Sequence, residues 1–410
     1  MNQYVIIGNG AAAAGCIEGI RSVDQTGSIT VVSGENHPVY ARPLISYFLM
    51  GKTDPSRMNY RPKDFYETMN VSVIYGAKAV SVDPKGKEVL LSNGQVLSYS
   101  SLCIAAGSSP FVPPFEGLES VPQVFSFMTL DDALALNDTL TENDRVLIVG
   151  AGLIGLKCAE GILARVKSIT VCDLAPRVLS SILDEECAGM MQAHLEKQGM
   201  AFMLGDTVTR FSGNTAVMQS GKTVEFDRLI MAVGVRANIG LVKDAGGETD
   251  RGILADTHLR TSLPDVYTAG DCAQGEDASI GAKRVLAIMP NAYLQGHAAG
   301  VNMAGGDEVF DNAIPMNSIG FFGLHAMTAG SYDGEMYEER GEGRLKRLFV
   351  KDDRLIGFIL IGAVERAGIY TSLIREKTPL SELDFDLLKK VASTVAFSQE
   401  NRRKKFGGVV

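Results

Sequence analysis

Apolar and polar positions alternate along the chain in a pattern that occurs twice. Residues 4–7 ("YVII") and 146–149 ("VLIV") are short continuous apolar runs, each followed at once by a glycine turn and then by a mixed apolar helix pattern. A buried strand stopped by glycine and resumed as a helix predicts the start of a β-α-β unit. The match is close: "YVIIGNGAAAAGCIEGI" and "VLIVGAGLIGLKCAEGI" align at a constant offset of 142 residues, from Gly8/Gly150 through Cys16/Cys158 to Glu18/Glu160. Each copy continues into a second predicted strand, "SITVVSG" and "SITVCD", and each closes on a further apolar strand, "LCIAAGSSPFVPP" and "RLIMAVGVRAN".

From these patterns the chain divides into residues 1–117, 118–237, 238–312 and 313–410. The third segment carries "PDVYTAGDCA" and a predicted helix from Asn291 to Ala304. The fourth has two predicted strands, "RLKRLFVKD" and "RLIGFILIGA", followed by helices and the polar, basic end "QENRRKKFGGVV".

Composition narrows the function classes. A chain of 410 residues accommodates two or three ordinary cores. Its formal charge of −9 argues against nucleic acid as the main partner. No uncharged apolar run reaches the length of about 18 residues that a membrane span needs, and no signal peptide precedes the first strand. The cysteines Cys16, Cys103, Cys158, Cys172, Cys187 and Cys272 are scattered, with no CxxC pair and no metal-ligand spacing, which suits a reducing cytoplasm. The histidines are equally dispersed, so no metal is expected.

The glycine turns carry the chemistry. In Gly150-x-Gly152-x-x-Gly155 the first glycine permits the turn, the second lets a pyrophosphate approach the backbone, and the third lets helix and strand pack closely. Phosphates then sit at a helix N-terminus, where unpaired N–H groups and the helix dipole favour negative charge. Asp173, at the end of the next strand and 18 residues after Gly155, is placed to accept from ribose hydroxyls and to repel a 2′-phosphate. It favours NADH over NADPH, although Arg177, four residues on, is positioned to weaken that preference. The first copy has Gly8 and Gly10 with Ala13 third, and Glu35 as the candidate ribose acid. Two dinucleotide sites call for two dinucleotides, most economically a bound flavin and a diffusing nicotinamide.

With the paired fingerprints, "IAAGSSP", "MAVGVRAN", "TSLPDVYTAGDCA" and "PNAYLQGHAAGVNMAGG" in place, the chain resembles the two-dinucleotide-binding flavoproteins of the pyridine nucleotide-disulfide oxidoreductase superfamily. The loop "HPVYARPLISYFLMGK" is most similar to the NADH:rubredoxin oxidoreductase, flavin ferredoxin reductase and nitrite reductase flavin-domain branches. The resemblance implies an α/β fold with two Rossmann-like domains, glutathione-reductase-like, plus a C-terminal α+β domain. The FAD domain would be discontinuous (1–117 and 238–312), with the NAD domain at 118–237 between its parts.

It also implies cofactor-binding positions at Gly8, Gly10, Ala13, Glu35, Arg42, Pro43, Ala79, Ala105, Gly107, Gly150, Gly152, Leu153, Ile154, Gly155, Asp173, Gly234, Gly270, Asp271 and Ala292. Asp271 would bind the flavin ribityl chain, and the helix at Ala292 would point its N-terminus toward the ring. Arg42 and Pro43 would lie beside the isoalloxazine. Residues 36–60 contain no cysteine, so the thiol relay of the disulfide reductases is not available. The chain departs from the common Gly-Leu-Glu pattern at Lys157. That lysine either places positive charge near the flavin or is a solvated helix residue without redox effect. Arg42 and Lys157 are the candidate catalytic positions.

The implied activity is an NAD(P)H-dependent FAD oxidoreductase that passes electrons from NADH to a rubredoxin- or ferredoxin-like carrier or to a partner redox enzyme. An NADH oxidase, a quinone or other small-acceptor reductase, and a flavoprotein subunit of a larger complex remain the alternatives. A homodimer is compatible with the resemblance. The run Arg402, Arg403, Lys404 and Lys405 is either a solvated tail or a docking patch for an acidic carrier.

Overall fold

A computed structural model describes residues 2–398. Its contacts divide the chain into two compact units, one built from the residues up to Gly275 together with Arg284–Phe310, the other from Glu276–Lys283 and the residues from Asp311 on. Residues 276–283, which the sequence boundaries assign to the 238–312 segment, therefore belong with the C-terminal unit. The basic run 402–405 lies outside the described residues.

In chain order the first unit contributes β1 (Gln3–Ile7), α1 (Ala11–Val23), β2 (Ser28–Ser33), the short helix α2 (Ile45–Leu49), β3 (Val71–Tyr75), β4 (Ser101–Ile104) and β5 (Val124–Phe125). There follow α3 (Leu130–Thr139), β6 (Arg145–Val149), α4 (Leu153–Ile162), β7 (Ser168–Asp173), β8 (Met200–Leu204), β9 (Arg228–Met231), β10 (Val266–Thr268) and α5 (Met289–Met303). One parallel sheet has the order β10-β4-β1-β2-β3 and the other the order β8-β7-β6-β9-β5. The registers are equivalent: Tyr4 pairs with Ile29 and Ser101, and Val146 with Ile169 and Arg228. Both central strands are buried on both faces, as parallel strands under helices must be, which is why they read as unbroken apolar runs. Each sheet carries a three-stranded antiparallel meander in the same relative place, at residues 79–98 and 208–225.

The helices α1 and α5 lie against each other backbone to backbone. A Cβ on Gly15 or Gly19 of α1 would lie 2.2 Å from the Tyr293 carbonyl oxygen or 2.1 Å from that of His297. A Cβ on Gly296 or Gly300 of α5 would lie 2.0 Å from the Ala12 oxygen or 2.1 Å from that of Cys16. Two glycines four residues apart on each helix thus interleave, and no side chain fits between them. The pair is closed by Glu18, which receives the Tyr293 hydroxyl at 2.5 Å and both Nε (2.6 Å) and Nη2 (3.0 Å) of Arg61. The Arg61 guanidinium in turn lies over the rings of Tyr60 and Tyr293.

The second unit is an antiparallel sheet of β11 (Met316–Phe321), β12 (Leu324–Gly330), β13 (Glu335–Gly341), β14 (Arg344–Lys351) and β15 (Arg354–Ile361) in the order β11-β12-β15-β14-β13, with α6 (Ala367–Arg375) packed on it through Phe358 and Tyr370. Sequence periodicity exposes only β14 and β15. The strands β11 and β13 are missed because "MNSIGF" and "EMYEERG" are edge strands whose polar residues interrupt any apolar alternation, and the interior β12, "LHAMTAG", is missed because His325 and the small residues Thr328, Ala329 and Gly330 blur its apolar pattern.

The close helix contact makes a testable contrast. Gly300→Ala should destabilise the protein by about 1–3 kcal/mol or more, because its methyl meets backbone and not a yielding side chain. Gly189→Ala, helical with open space around the new Cβ, should be neutral or stabilising by about 0.5–1 kcal/mol. Equal denaturation midpoints for the two variants would contradict the interleaved packing.

Candidate functional site

The two glycine turns adopt the same geometry. Gly8 and Gly150 have φ of +111° and +118°, and a Cβ on either would strike the carbonyl oxygen of Ala105 (2.1 Å) or Ala232 (2.2 Å). A Cβ on Gly10 or Gly152, by contrast, would meet nothing within 4 Å. The first glycine of each turn is required by packing, and the second leaves a space beside the helix end.

That space faces an uncapped helix. Neither α1 nor α4 has a side-chain N-cap bond or an acid in its first turn. The helix α3 is instead closed by a capping box of Thr129 and Asp132, and Glu185–Lys197 is capped by Asp184. The bare N–H groups and positive dipole ends of α1 and α4 fit the pyrophosphates of two dinucleotides. The third positions differ. A Cβ on Gly155 would lie 2.1 Å from the Gly150 oxygen, whereas Ala13 accommodates its methyl in full burial.

In the second site Asp173 is locked by the backbone. Its Oδ2 accepts from the Ala151 N–H at 2.7 Å and its Oδ1 from the Ala175 N–H at 2.8 Å. Arg177 turns elsewhere, donating to the carbonyls of Leu183 (3.3 Å) and Ser180 (3.4 Å). Leu153, at the start of α4, and Leu174, just after Asp173, are exposed. Ile154 follows in the same first turn, and Gly234 has φ +125° with open space at its Cβ position.

In the first site Glu35 receives the Tyr40 hydroxyl at 2.7 Å and pairs with the Arg42 guanidinium. Arg42 also donates from Nη1 to the Met128 carbonyl at 2.9 Å, and the Leu130 N–H donates to Tyr40 Oη at 2.9 Å. Arg42, expected beside the flavin ring, is thus tied to the acid expected at the ribose, and through Met128 to the start of α3. Pro43 is exposed in the same turn. Ala79 opens the first meander and is half-buried against an apolar cluster.

The other flavin candidates converge from distant segments. Gly270 (φ +83°) and Asp271 follow β10, Ala105 and Gly107 (φ +64°) follow β4, and Ala292 is buried in the first turn of α5. Asp271 accepts from Ser108 Oγ at 3.2 Å. Burial pushes its carboxyl above the usual carboxylate range, opposed by the Ser108 bond and by the charge of Arg42.

Several residues that hold this site are not legible from motif spacing. Gln295 of α5, 3% exposed, accepts the Gly270 N–H on its side-chain oxygen at 2.9 Å. Tyr66 donates to Asn9 Oδ1 at 2.8 Å and accepts the Val39 N–H at 2.9 Å, fixing the residue between Gly8 and Gly10. Asn9 falls inside a quoted glycine turn and Gln295 inside a quoted helix motif, so a count of polar residues within those motifs would have found them. Ser108, inside the quoted "IAAGSSP", carries the same signal, whereas Tyr66 has none.

Lys157 lies on α4 and donates to Glu160 Oε2 at 2.7 Å, with the two side chains 21% and 8% exposed. All six cysteines are buried thiols. Burial pushes Cys272 up to about 11 and Cys172 up to about 12, far from a reactive thiolate. Among the described residues no group of three His, Cys, Asp or Glu side chains is arranged to hold a metal, and no helix is long and apolar enough to cross a membrane.

Comparison with known proteins agrees with this geometry. The sequence model of the pyridine nucleotide-disulphide oxidoreductases matches residues 2–296. The chain is 32% identical to the NADH-dependent phenylglyoxylate dehydrogenase subunit epsilon of Aromatoleum evansii, over 93% of each chain. It is 30% identical to the rubredoxin-NAD(+) reductase of Pseudomonas putida, over 73% of this chain and 80% of that one. Among solved structures, a covalent putidaredoxin reductase–putidaredoxin complex superposes with a TM-score of 0.88 at 22% identity, covering 96% of this chain and 97% of that one, which shows a shared fold.

The open space at Gly10 makes a clean test. Gly10→Val adds a side chain whose Cβ meets no protein atom within 4 Å, so the variant should fold with a nearly unchanged melting profile in the absence of dinucleotide, yet lose its yellow FAD. Asp271→Ala should weaken FAD retention as well. A full complement of FAD in Gly10→Val, measured from the absorbance of the purified protein, would refute the assignment of the first site.

Proposed function

The chain belongs to the pyridine nucleotide-disulphide oxidoreductase family, and from that membership we propose that it oxidises NADH on a bound FAD and passes the electrons outward to a small one-electron redox protein or a partner redox enzyme. The observation that carries the reading is the pair of uncapped, glycine-opened helix N-termini in one unit, with no reactive thiol beside either. FAD, when bound, accepts a pair of electrons from NADH and can release them one at a time.

The protein's own work is positioning. The N-terminus of α1 would hold the FAD pyrophosphate, with Glu35 at the ribose and Asp271 at the ribityl chain. The N-terminus of α4 would hold that of NADH, with Asp173 at the adenosine ribose. Asp173 arrives already oriented by two backbone N–H groups, so its remaining lone pairs would receive the ribose hydroxyls at little entropic cost. We read Arg42 as the residue that orients Glu35, since its guanidinium is engaged there. No side-chain acid, base or nucleophile is required, because both cofactors supply the reacting atoms.

The choice of acceptor rests on the relatives and on what this chain lacks. A rubredoxin-NAD(+) reductase and a subunit of an NADH-dependent dehydrogenase are both among the relatives, which favours a protein acceptor. A disulfide acceptor would need the cysteine that residues 36–60 do not contain. Six buried thiols suit a reducing, cytoplasmic setting.

NADH should outpace NADPH in rapid-reaction reduction of the flavin by one to two orders of magnitude, roughly 1–3 kcal/mol. Asp173→Ala should erase most of that difference, and equal rates for the two cofactors in the wild type would remove Asp173 as the ribose reader. With rubredoxin or ferredoxin as acceptor, NADH-driven reduction should slow as ionic strength rises. Truncation after Ser398 should slow it too while leaving flavin reduction intact. Full turnover with oxygen and none with any protein carrier or co-purifying redox enzyme would replace this reading with an NADH oxidase.

A further inference from the structure

The two glycine turns differ in how the acid that follows them is held. The strand registers pair Ile7 with Val32 and Val149 with Cys172, so Asp173 corresponds to Ser33, and Glu35 stands two residues further out, in the loop after β2. Asp173 reaches its own turn directly, accepting the N–H of Ala151. Ala151 lies between Gly150 and Gly152, where the first copy has Asn9. The Asn9 side chain spans the gap that the displaced acid leaves. Its Nδ2 donates to the His37 carbonyl at 3.3 Å, and its Oδ1 accepts the Tyr66 hydroxyl at 2.8 Å. Tyr66 Oη in turn accepts the Val39 N–H at 2.9 Å. Tyr40, the next residue, donates its hydroxyl to Glu35 Oε2 at 2.7 Å. A continuous path of hydrogen bonds and backbone thus runs from the glycine turn to the carboxylate.

Tyr66 itself stands on a firm base. It lies in the short helix Phe65–Thr68, whose Phe65 is buried in the core that α1 and α5 share. Arg21, buried near the end of α1, holds the chain that leaves this helix, donating from Nε to the Met69 carbonyl at 2.7 Å and from Nη2 to the Asn70 carbonyl at 3.1 Å. The helix whose N-terminus would take a pyrophosphate therefore also anchors the phenol that braces the loop. Burial pushes the Tyr66 phenol up to about 12, so its hydroxyl keeps the proton it donates to Asn9 throughout the neutral range.

We propose that Tyr66 is a positioning residue for FAD: through Asn9 and the Val39 N–H its hydroxyl fixes residues 37–40 against the glycine turn, and so holds Glu35 in place relative to the N-terminus of α1 before the dinucleotide arrives. This deepens the reading above and rests on its assignment of the first site to FAD. A loop ordered in advance spares binding the entropy of ordering it. The second copy needs no such brace, because its acid ends a strand and is tied by the turn itself.

The test is the FAD affinity of the apoprotein, read from quenching of flavin fluorescence well below the melting temperature, with the apoprotein melting temperature recorded alongside. Tyr66→Phe removes only the hydroxyl and should weaken FAD by about tenfold, the scale of one or two lost hydrogen bonds. Asn9→Ala should weaken it to a similar extent. The affinity of either variant for NAD+, measured with FAD saturating, should stay at the wild-type value. In a Glu35→Ala background Tyr66→Phe should cost little more, since its effect runs through that carboxylate. A tyrosine with a merely structural role would lower the melting temperature and leave the FAD affinity unchanged, and that outcome overturns the proposal. So does an equal loss at the NAD+ site, or the full tenfold loss in the Glu35→Ala background. If Tyr66→Phe fails to fold, Asn9→Ala decides alone: weakened FAD binding supports the proposal and unchanged binding overturns it. Failure of the wild type to bind FAD would instead defeat the functional reading on which the proposal depends.

Discussion

The contact on which the first unit depends is the interleaving of Gly15 and Gly19 with Gly296 and Gly300. It joins a helix that begins at residue 11 to one that ends at residue 303, with an entire second nucleotide-binding fold threaded between them. Closing so long a loop costs only slowly increasing entropy, provided that the contact made at the end is good. Here it is good because four missing side chains bring two backbones into van der Waals range, where Cα–H groups of one helix meet carbonyl oxygens of the other. Once α5 is seated, Gln295 reaches the Gly270 N–H and sets the turn that carries Asp271. The first site is therefore assembled from both ends of its unit by one helix pair.

The second copy of the device is built differently, and the difference is physical. Its helix is pressed on its own turn, with Gly155 under the Gly150 carbonyl, and its strands, glycine turn and acid all come from one continuous stretch. The first copy keeps a methyl at Ala13 and gains its closeness from α5 instead. A site enclosed by distant segments suits a cofactor that stays. A site made locally, with Leu153 and Leu174 at its exposed rim, suits one that enters and leaves with each turnover.

Charge is arranged with the same economy. The two glycine-opened helices, α1 and α4, lack caps and first-turn acids, while α3 is closed by Thr129 and Asp132. The acids that remain near the sites are engaged: Asp173 by two backbone N–H groups, Glu35 by Tyr40 and Arg42, Glu160 by Lys157. Each is pre-oriented, so binding does not have to order it. All six thiols are buried, and burial pushes Cys172 and Cys272 well above the ordinary thiol range.

From the sequence by itself came the doubled strand–glycine–helix unit, the parallel sheets, the acid at Asp173 and the absence of a cysteine relay. These features are local: a strand buried on both faces is an unbroken apolar run, and a turn with φ beyond +100° demands glycine at Gly8 and Gly150. Tertiary structure alone decided what depends on pairs of residues far apart in the chain. The α1–α5 zipper is invisible in either helix, since a helix glycine shows its use only against its partner. Arg42 was placed by Glu35 and Met128, not by its motif. The edge strands of the C-terminal sheet, half exposed and rich in charge, follow their neighbours' hydrogen bonds and not an apolar period of their own. Periodicity records which way a residue faces; which other segment it faces is settled only when the chain is folded.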